Sequence, residues 1–392
     1  MTPSIDLEEL GLDAGGHLLL ARGLAPLAPG QRLTVRGRHP ALRVQLQAWC
    51  RAEGHGLELD GPAPVVVKGT AERDRWRGAR RASRTAGDVE PHADPSWGLA
   101  ARGALVEPGG PPLCVDWVDR DLVWADLAPR LYARAAAEQW DPATAVDWRA
   151  PVAVPEEIED AVVQVMTYLV ENEQAALMIP ARLLARLHPH YREVMQLLAV
   201  QAADEARHVE VFTRRALLRR EVLGVSGAGG RASLQTLLSE PDFTLASFLL
   251  SVLGEGSFLD LLRFLHRHAP DPVTADVTRL AAHDEARHVA FGVAHTIHVV
   301  RADPPFLGRL RTAVERRHDA LAHTAGLNAQ VFDALVVLAA GSWRPDAIAA
   351  GWRRVQRLRQ EMDEGRRRRL EAIGFPADEA AELSALHTRN FM

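Results

Sequence analysis

The pentapeptide DEARH occurs twice in the chain, at residues 204–208 and again at residues 284–288. Both copies lie in segments whose apolar residues recur at helical spacing, so each copy is predicted to form part of a helix. Within each copy the glutamate and the histidine are three residues apart, which places them on one helix face. The repeat therefore predicts two identical pairs of an acid and an imidazole on two separate helices.

The helix face that carries the first pair is apolar. On this face the neighbours of Glu205 are Leu198, Ala202, Val209 and Phe212. A carboxylate and an imidazole that face the core must be paired with other charges or bound to a metal ion, because burying a bare charge is very costly. One such pair is weak evidence for a metal site. Two identical pairs, each on the second helix of a hairpin, are strong evidence.

Counting along the two predicted helical hairpins adds a glutamate to each pair. In the first hairpin Glu205 lies 16 residues after the turn at Pro189, and 16 residues before that turn is Glu173. In the second hairpin the turn is the Ala-Pro-Asp-Pro stretch, and equal counts of 15 residues lead to Glu285 and Glu255. Because each helix rises about 1.5 Å per residue, residues at equal counts from a turn lie at one level of the bundle.

The predicted metal ligands are therefore four carboxylates and two imidazoles, from Glu173, Glu205, His208, Glu255, Glu285 and His288. One Glu from each of two helices and a Glu-x-x-His from each of two others form the ligand set of a dinuclear site in a bundle core. Four carboxylates balance two divalent ions, and a set of mainly oxygen ligands favours iron or manganese. A buried Glu–His–Arg network without metal is the alternative. It would make it a coincidence that the residue counts from each hairpin turn lead to a glutamate on both helices.

The first helix carries a second acid that competes for the role of ligand. Glu171 lies two residues before Glu173, which moves it by about 3 Å along the axis and about 200° around it. We prefer Glu173, because its neighbours on the helix face are apolar. Tyr168, five residues before Glu173, is interpreted either as a core residue or as a relay for protons or radicals.

An aspartate precedes each glutamate of the repeat, and an arginine follows each glutamate by two residues. Asp204 and Asp284 are natural acceptors for the outer N–H of a ligating histidine, either in their own copy or in the other one. Arg207 and Arg287 are expected to neutralise these aspartates or to lie at the surface. The repeat thus predicts the residues around the metal ligands as well as the ligands themselves.

Composition limits the class of protein and its partners. The formal net charge of −5 argues against a nucleic-acid partner. The N-terminus lacks the pattern of a leader peptide, and the absence of any run of 18 apolar residues argues against a membrane partner. Cys50 and Cys114 are the only cysteines, which excludes a disulfide framework and favours a cytoplasmic location.

The chain is expected to fall into three stretches and to be mainly α-helical. Residues 1–68 alternate between strand and helix patterns and predict a small α+β domain. Residues 69–120 are rich in Arg, Gly and Pro and predict an irregular connector. Residues 121–392 predict a four-helix bundle with extra helices. Its long helices are expected at about residues 156–180, where Pro180 should introduce a kink, and at about 191–223, 243–268 and 273–301.

Over about residues 121–300 the chain resembles the ferritin-like di-iron carboxylate superfamily. The segments that carry this resemblance are ENEQAA, QAADEARHVEVF, LLSVLGEGSFLD and RLAAHDEARHVAFG. The resemblance implies a ferritin-like bundle with two iron ions, or a manganese–iron pair, at the six predicted ligands. It also implies that O2 is a co-substrate, that a small organic molecule is oxidised, and that a reductase supplies electrons. We also consider a homodimer.

The chain departs from several branches of that superfamily. Ribonucleotide reductase small subunits have a tyrosine where Phe212 stands, and rubrerythrin-like proteins need four cysteines. Arylamine N-oxygenases look similar through QWDPATAVDW, but their seventh ligand, a histidine, would stand at Ala281, and His283 should point away. The predicted function is therefore a dinuclear iron oxidase or oxygenase. The alternatives are a ferroxidase or iron-handling protein, or a non-catalytic metal-bound scaffold.

Three further features receive simpler interpretations. The segment GQRLTVRGRHPALRVQLQAWCRAEGH resembles TusA-type sulfur carriers, but no cysteine lies near residues 13–16, so a docking or regulatory role is implied. The arginine run at residues 366–369 is expected to be a solvated helix face or a complement to the helix dipole near the C-terminal end. Gly254 and Gly256, which flank Glu255, are expected either to leave room for O2 or substrate or to allow close helix packing.

Overall fold

The computed structural model describes residues 3–321 and 329–388, so parts of the predicted helical domain, residues 322–328 and 389–392, lie outside it. The chain divides into two compact units. The first comprises the residues up to Asp88 together with Ser96–Leu113, and the second comprises Val89–Pro95 and the chain from Cys114 onward. Much of the stretch that was expected to be a connector therefore belongs to the first unit.

The first unit is built on a four-stranded sheet covered by helices. The strands are β1 (Ser4–Asp6), β2 (Arg32–Arg36), β3 (Gly56–Glu58) and β4 (Val65–Val67), in the order β1-β2-β4-β3. β1 and β2 run parallel, and the other two pairs are antiparallel. The helices are α1 (Gly16–Leu24), α2 (Leu42–Ala52) and α3 (Ala71–Arg75). A second, two-stranded antiparallel sheet pairs β5 (Arg80–Arg81) with β6 (Leu105–Val106). Cys50 lies in the core of this unit, where burial raises the pKa of its thiol to about 11.

The second unit contains two long helical hairpins, as predicted. The first hairpin pairs α5 (Glu156–Leu184) with α6 (Arg192–Ala216). The second pairs a composite helix with α10 (Pro272–Ala302), and this composite helix consists of α8 (Phe243–Ser247), a π-helical segment (Phe248–Glu255) and α9 (Gly256–Arg267). The other helices are α4 (Ala128–Ala137), α7 (Ala228–Leu238), α11 (Phe306–Leu321), α12 (Ala329–Ala340), α13 (Pro345–Ile373) and α14 (Ala377–Thr388). The predicted fold class, mainly α with a small α+β part, is confirmed.

Two helix boundaries differ from the prediction. α5 continues through the buried Pro180 for one further turn and ends at Leu184. α6 ends at Ala216, seven residues earlier than expected, because the chain beyond it folds back against α5. Arg220 there binds Asp160, and the backbone N–H of Gly224 donates to Thr167. These contacts replace the last turns of the expected helix.

A buried ion cluster joins the ends of the two hairpins. Arg215 on α6 donates two hydrogen bonds to Glu159 on α5, at 2.7 and 2.9 Å. It also donates to Asp271 and Thr274 at the start of α10. All four side chains are buried. Because a buried guanidinium needs partners for its charge and its donors, this cluster fixes the relative position of α5, α6 and α10.

The composite helix is the most apolar long helix in the described part of the chain. The stretch Phe243–Arg267 has a mean hydropathy of 1.6 over 18 residues, enough to cross a membrane by length and composition, but 89% of that window is buried inside the protein. Gly292 on α10 allows close packing here, because a Cβ at that position would lie 2.5 Å from the Cβ of Ser251. The composite helix is thus a core helix of the bundle, and it carries Glu255 at the end of its π segment.

Candidate metal centre

The structure brings the six predicted metal ligands together in the bundle core. They form two overlapping groups in which the ligand atoms lie within 4.8 Å of one another. The first group is Glu173, Glu205, His208 and Glu285, and the second is Glu205, Glu255, Glu285 and His288. Glu205 and Glu285 belong to both groups, which is the arrangement expected of carboxylates that bridge two metal ions. The described residues therefore offer a dinuclear site with two shared and four unshared ligands.

The two histidines have equivalent surroundings. The Nδ1 atom of His208 lies 3.1 Å from Glu205 and 3.6 Å from Glu173. The Nδ1 atom of His288 lies 3.0 Å from Glu205 and 3.3 Å from Glu285. Each imidazole thus turns the same nitrogen toward the carboxylates, as a metal ligand in a pseudo-symmetric site must.

The outer nitrogens of the histidines bind aspartates from the opposite copy of the repeat. The Nε2 atom of His208 lies 3.2 Å from Asp284, and that of His288 lies 3.2 Å from Asp204. The sequence left open whether each aspartate would reach its own histidine or the other one, and the structure shows the crossed arrangement. An aspartate on the outer nitrogen fixes the ring orientation and leaves Nδ1 free to bind a cation.

The arginines of the repeat lie between these two aspartates. Arg207 binds Asp204 and lies 3.4 Å from Asp284, while Arg287 binds Asp284 and lies 3.3 Å from Asp204. Their side chains are only 13% and 2% exposed, so they are part of the buried network and do not lie at the surface. Burial opposes ionisation of Asp284, but His208 and Arg287 outweigh it and lower the pKa of that carboxyl group.

Each of the four glutamates has a buried carboxylate oxygen that accepts no hydrogen bond of acceptable geometry from the described residues. These atoms are Oε1 of Glu173, Oε1 of Glu205, Oε2 of Glu255 and Oε1 of Glu285. Buried polar atoms in proteins are almost always satisfied, so four unsatisfied oxygens in one cluster need an explanation. Two metal ions between the carboxylates provide it, since each ion would take oxygen ligands from both hairpins. The donor set fits a dinuclear metal centre.

Electrostatics in the cluster lead to the same conclusion. Burial raises the pKa of Glu173 and of Glu255 well above the ordinary value, and the negative charges of Glu205 and Glu285 raise both further. Burial alone would lower the pKa of His208, but Glu173, Asp284 and Glu205 outweigh it, so this pKa is well above its ordinary value. Without divalent cations, protons must therefore neutralise the cluster.

Several residues next to the metal ligands were missed at the sequence level. Gln201 donates to the Oε1 atom of Glu255 at 3.0 Å, and it lies one turn before Glu205 on the same helix face. Gln139 donates to Asp204 at 3.1 Å, and the indole N–H of Trp140 donates to Asp284 at 2.7 Å. The position of Gln201 on an apolar stripe was an available signal. Gln139 and Trp140 begin the QWDPATAVDW segment, and nothing in that segment alone indicates a contact with the aspartates.

The remaining candidates lie outside the two ligand groups. Glu171 is partly exposed and is not a member of either group. Tyr168 is a core residue whose ring lies 6.4 Å from that of Phe258, and burial raises the pKa of its hydroxyl. That hydroxyl makes no hydrogen bond within the described part of the chain. His283 points away from the site toward Arg134, at 3.0 Å, and does not supply a seventh ligand.

A narrow cavity reaches the carboxylates from one side. Its volume is about 30 Å³, counted as the space open to the centre of a water molecule. That is enough for one or two small molecules such as water or O2, but not for a larger organic molecule without movement of the wall. Glu173, Glu255 and Glu285 are part of its lining together with Asn172. The rest of the wall is apolar and consists of Ala175, Ala176, Leu234, Leu237, Leu250, Gly254 and Phe258.

Comparisons with known proteins give no family assignment. No family model matches the chain, and no curated protein matches it. Among solved structures, an R2-like ligand-binding oxidase with an aerobically reconstituted Mn/Fe cofactor has a TM-score of 0.43 and 18% identity, covering 68% of this chain and 92% of its own. An R2-like ligand-binding oxidase from Sulfolobus acidocaldarius has a TM-score of 0.41 and 16% identity, covering 65% and 93%. Likeness at this level assigns no activity, and neither structure supports the resemblance to sulfur carriers.

Metal binding should be coupled to the release of protons. The pKa values of Glu173, Glu255, His208 and His288 are raised well above their ordinary values, so these groups hold protons more tightly than free side chains do and must lose them when cations bind. The affinity for Mn(II) should therefore fall as the pH is lowered from about 8 to about 6. Calorimetry in two buffers of different ionisation enthalpy should show roughly two or more protons released per chain. Heats that do not depend on the buffer would contradict this coupling.

Two neighbouring acids on α5 provide a matched pair of variants. Glu173→Gln removes the charge of a predicted ligand with little change in volume, so one of the two metal ions should be lost after anaerobic loading with Fe(II) and desalting. Glu171→Gln, two residues away and partly exposed, should bind as much iron as the unsubstituted protein. Elemental analysis of iron per chain measures both. Loss of iron in the Glu171 variant alone would show that the wrong acid was assigned.

Proposed function

We propose that the chain is an O2-activating dinuclear iron or manganese–iron oxidase or oxygenase that acts on a small organic substrate. The observation that carries the proposal is the buried set of four carboxylates and two imidazoles, arranged as two sites with two shared glutamates. A bound pair of iron ions, or of one manganese and one iron ion, supplies redox chemistry with O2, which no side chain provides by itself.

The side chains of this chain have separable roles in the proposed reaction. Glu173, Glu205, His208, Glu255, Glu285 and His288 would hold the metal pair. Asp204 and Asp284 fix the two imidazoles by accepting from their outer nitrogens. Arg207 and Arg287 balance the charge of these aspartates. The protein thereby fixes the geometry of the site.

The cavity adds support for an oxidase or oxygenase, because it gives access to the proposed metal pair. It opens onto Glu173, Glu255 and Glu285, so a molecule in it would lie beside the metal pair. Its wall is mostly apolar, and an apolar site favours reaction with an organic molecule over loss of oxidising equivalents to solvent. Leu234 and Leu237 on α7 form part of this wall, so movement of α7 would enlarge the cavity for a substrate.

The partners and the location of the protein stay predictions. We propose an electron-donating reductase, because each turnover of a two-metal oxygenase needs electrons from outside the site. The cytoplasmic location, the homodimer and the docking role of the N-terminal unit rest on the sequence interpretation. We also propose, from the sequence alone, that this unit is similar to TusA-type carriers.

Oxidation of Fe(II) by O2 separates the proposed function from its alternatives. The apoprotein is loaded anaerobically with Fe(II) and then exposed to O2, and iron content, O2 uptake and absorption spectra are recorded. We expect saturation at about two irons per chain, rapid uptake of O2 and retention of both irons afterwards. The Glu205→Gln variant, which lacks a shared ligand, serves as control and should lose most of the O2 uptake.

Two outcomes would contradict the proposal. Accumulation of tens of irons per chain after repeated additions would identify an iron-handling protein. Binding of two irons without any uptake of O2 would identify a metal-bound scaffold.

A further inference from the structure

Glu255 differs from the other three glutamates of the cluster in its backbone. Glu173, Glu205 and Glu285 lie within regular α-helices, whereas Glu255 is the last residue of the π segment. A π-helical turn contains an extra residue and interrupts the regular hydrogen-bond pattern of a helix. The direction in which Glu255 points therefore depends on the contacts that hold this irregular backbone in place.

Arg369 on α13 makes the closest of these contacts. Its Nε–H donates to the backbone carbonyl of Val252, inside the π segment, at 2.7 Å. Its guanidinium also lies against Gly256, the residue after Glu255. A Cβ at position 256 would be 2.4 Å from the Cζ atom of Arg369 and 2.6 Å from its Nη2 atom, so a side chain at this position would displace the guanidinium.

Arg366, one turn earlier on α13, supports the backbone at the neighbouring position. It is buried, and it donates to the hydroxyl of Ser257 at 3.0 Å. The Ser257 hydroxyl in turn donates to the carbonyl of Leu253 at 2.8 Å. Arg369 thus binds the carbonyl three residues before Glu255 directly, and Arg366 reaches the carbonyl two residues before it through the hydroxyl of Ser257.

The other two arginines of the run behave differently. Arg367 and Arg368 have side chains that are 45% and 71% exposed, and they lie near Asp363 and Glu364 on their own helix. The expectation of a solvated charge run is therefore wrong for Arg366 and Arg369, which share one face of α13 because they are three residues apart. Burial lowers the pKa of Arg369 to about 10, so the protein keeps this cation at an unfavourable position.

We propose that Arg366 and Arg369 form a clamp on the backbone around Glu255 and thereby set the affinity of one of the two metal sites. That site is the group Glu205, Glu255, Glu285 and His288. The other group, which uses Glu173 and His208, does not depend on the clamp. Both arginines are positioning residues that act through Glu255. The proposal rests on the dinuclear centre of the proposed function, but not on the reaction.

The clamp can be tested from both of its sides. Arg369→Gln removes the guanidinium, and Gly256→Ala keeps the arginine but displaces it by adding a Cβ. Alanine is a better helix former than glycine, so intrinsic helix propensity opposes the loss that we expect from Gly256→Ala. Arg368→Gln, at the exposed neighbouring position, is the matched control. Glu255→Gln identifies which of the two binding steps belongs to the site that contains Glu255.

Anaerobic calorimetric titration with Fe(II) gives the decisive measurement. Arg369→Gln and Gly256→Ala should each weaken the step assigned to Glu255 by about 10- to 100-fold and leave the other step within about twofold, as for supporting residues in other metal sites. The double variant should be no weaker than either single variant, because both remove one contact. Arg368→Gln should leave both steps unchanged.

The outcomes that overturn the clamp differ from those that overturn the proposed function. Equal weakening of both steps, no change in either, or additive losses in the double variant would each contradict the clamp. If Arg369→Gln does not fold, Gly256→Ala decides by the same criterion. If the unsubstituted protein binds two irons but takes up no O2, the proposed function fails while the clamp is still judged by the titration.

Discussion

Mutual repulsion of four buried carboxylates is the constraint on which the bundle core depends. Glu173, Glu205, Glu255 and Glu285 approach one another in a space that is closed to bulk water. At such distances and in such surroundings, like charges cannot all persist without nearby positive charge. Protons or divalent cations must supply it, and the four carboxylate oxygens without hydrogen bonds indicate cations. The rest of the second unit can be understood as the means of holding these four groups at one level.

The two hairpins meet this constraint in a nearly symmetric way. Each histidine faces the shared glutamates with one nitrogen and an aspartate from the opposite hairpin with the other. Arg207 and Arg287 then join both aspartates, so the two copies of the repeat bind each other directly. A change in one hairpin is therefore transmitted to the histidine of the other. The symmetry ends at Glu255. This residue lies at the end of a π segment instead of within a regular α-helix, and two arginines from α13 contact the backbone or side chains around it.

Sequence reasoning was most successful where geometry is local or follows from simple counting. The Glu-x-x-His spacing places two groups on one face of any helix. Equal counts from a turn led to Glu173 and Glu255, because both helices of a hairpin rise by the same amount per residue. The structure places both residues in the cluster with the four residues of the repeat. The mainly α fold followed from the same periodicity.

Features that depend on contacts between distant segments could not be predicted in this way. A run of four arginines contains no information about which neighbour α13 will meet, so the burial of Arg366 and the partial burial of Arg369 required the packed structure. Trp140 reaches Asp284 from a segment 144 residues away. The π segment arises where α10 packs closely against it at Gly292, and propensity alone does not report such packing. The space beside Gly256, which was expected to admit O2 or substrate or to serve close packing, is filled by the guanidinium of Arg369.

The most direct test of the central claim is to locate the metal ions. Crystals of the protein loaded with Mn(II) or Fe(II) would be measured at the absorption edge of the metal, and the anomalous difference map would be calculated. The account predicts two peaks about 3.5–4 Å apart, both within bonding distance of Glu205 and Glu285, with Glu173 and His208 on one and Glu255 and His288 on the other. A single peak, or peaks only outside this cluster, would contradict it.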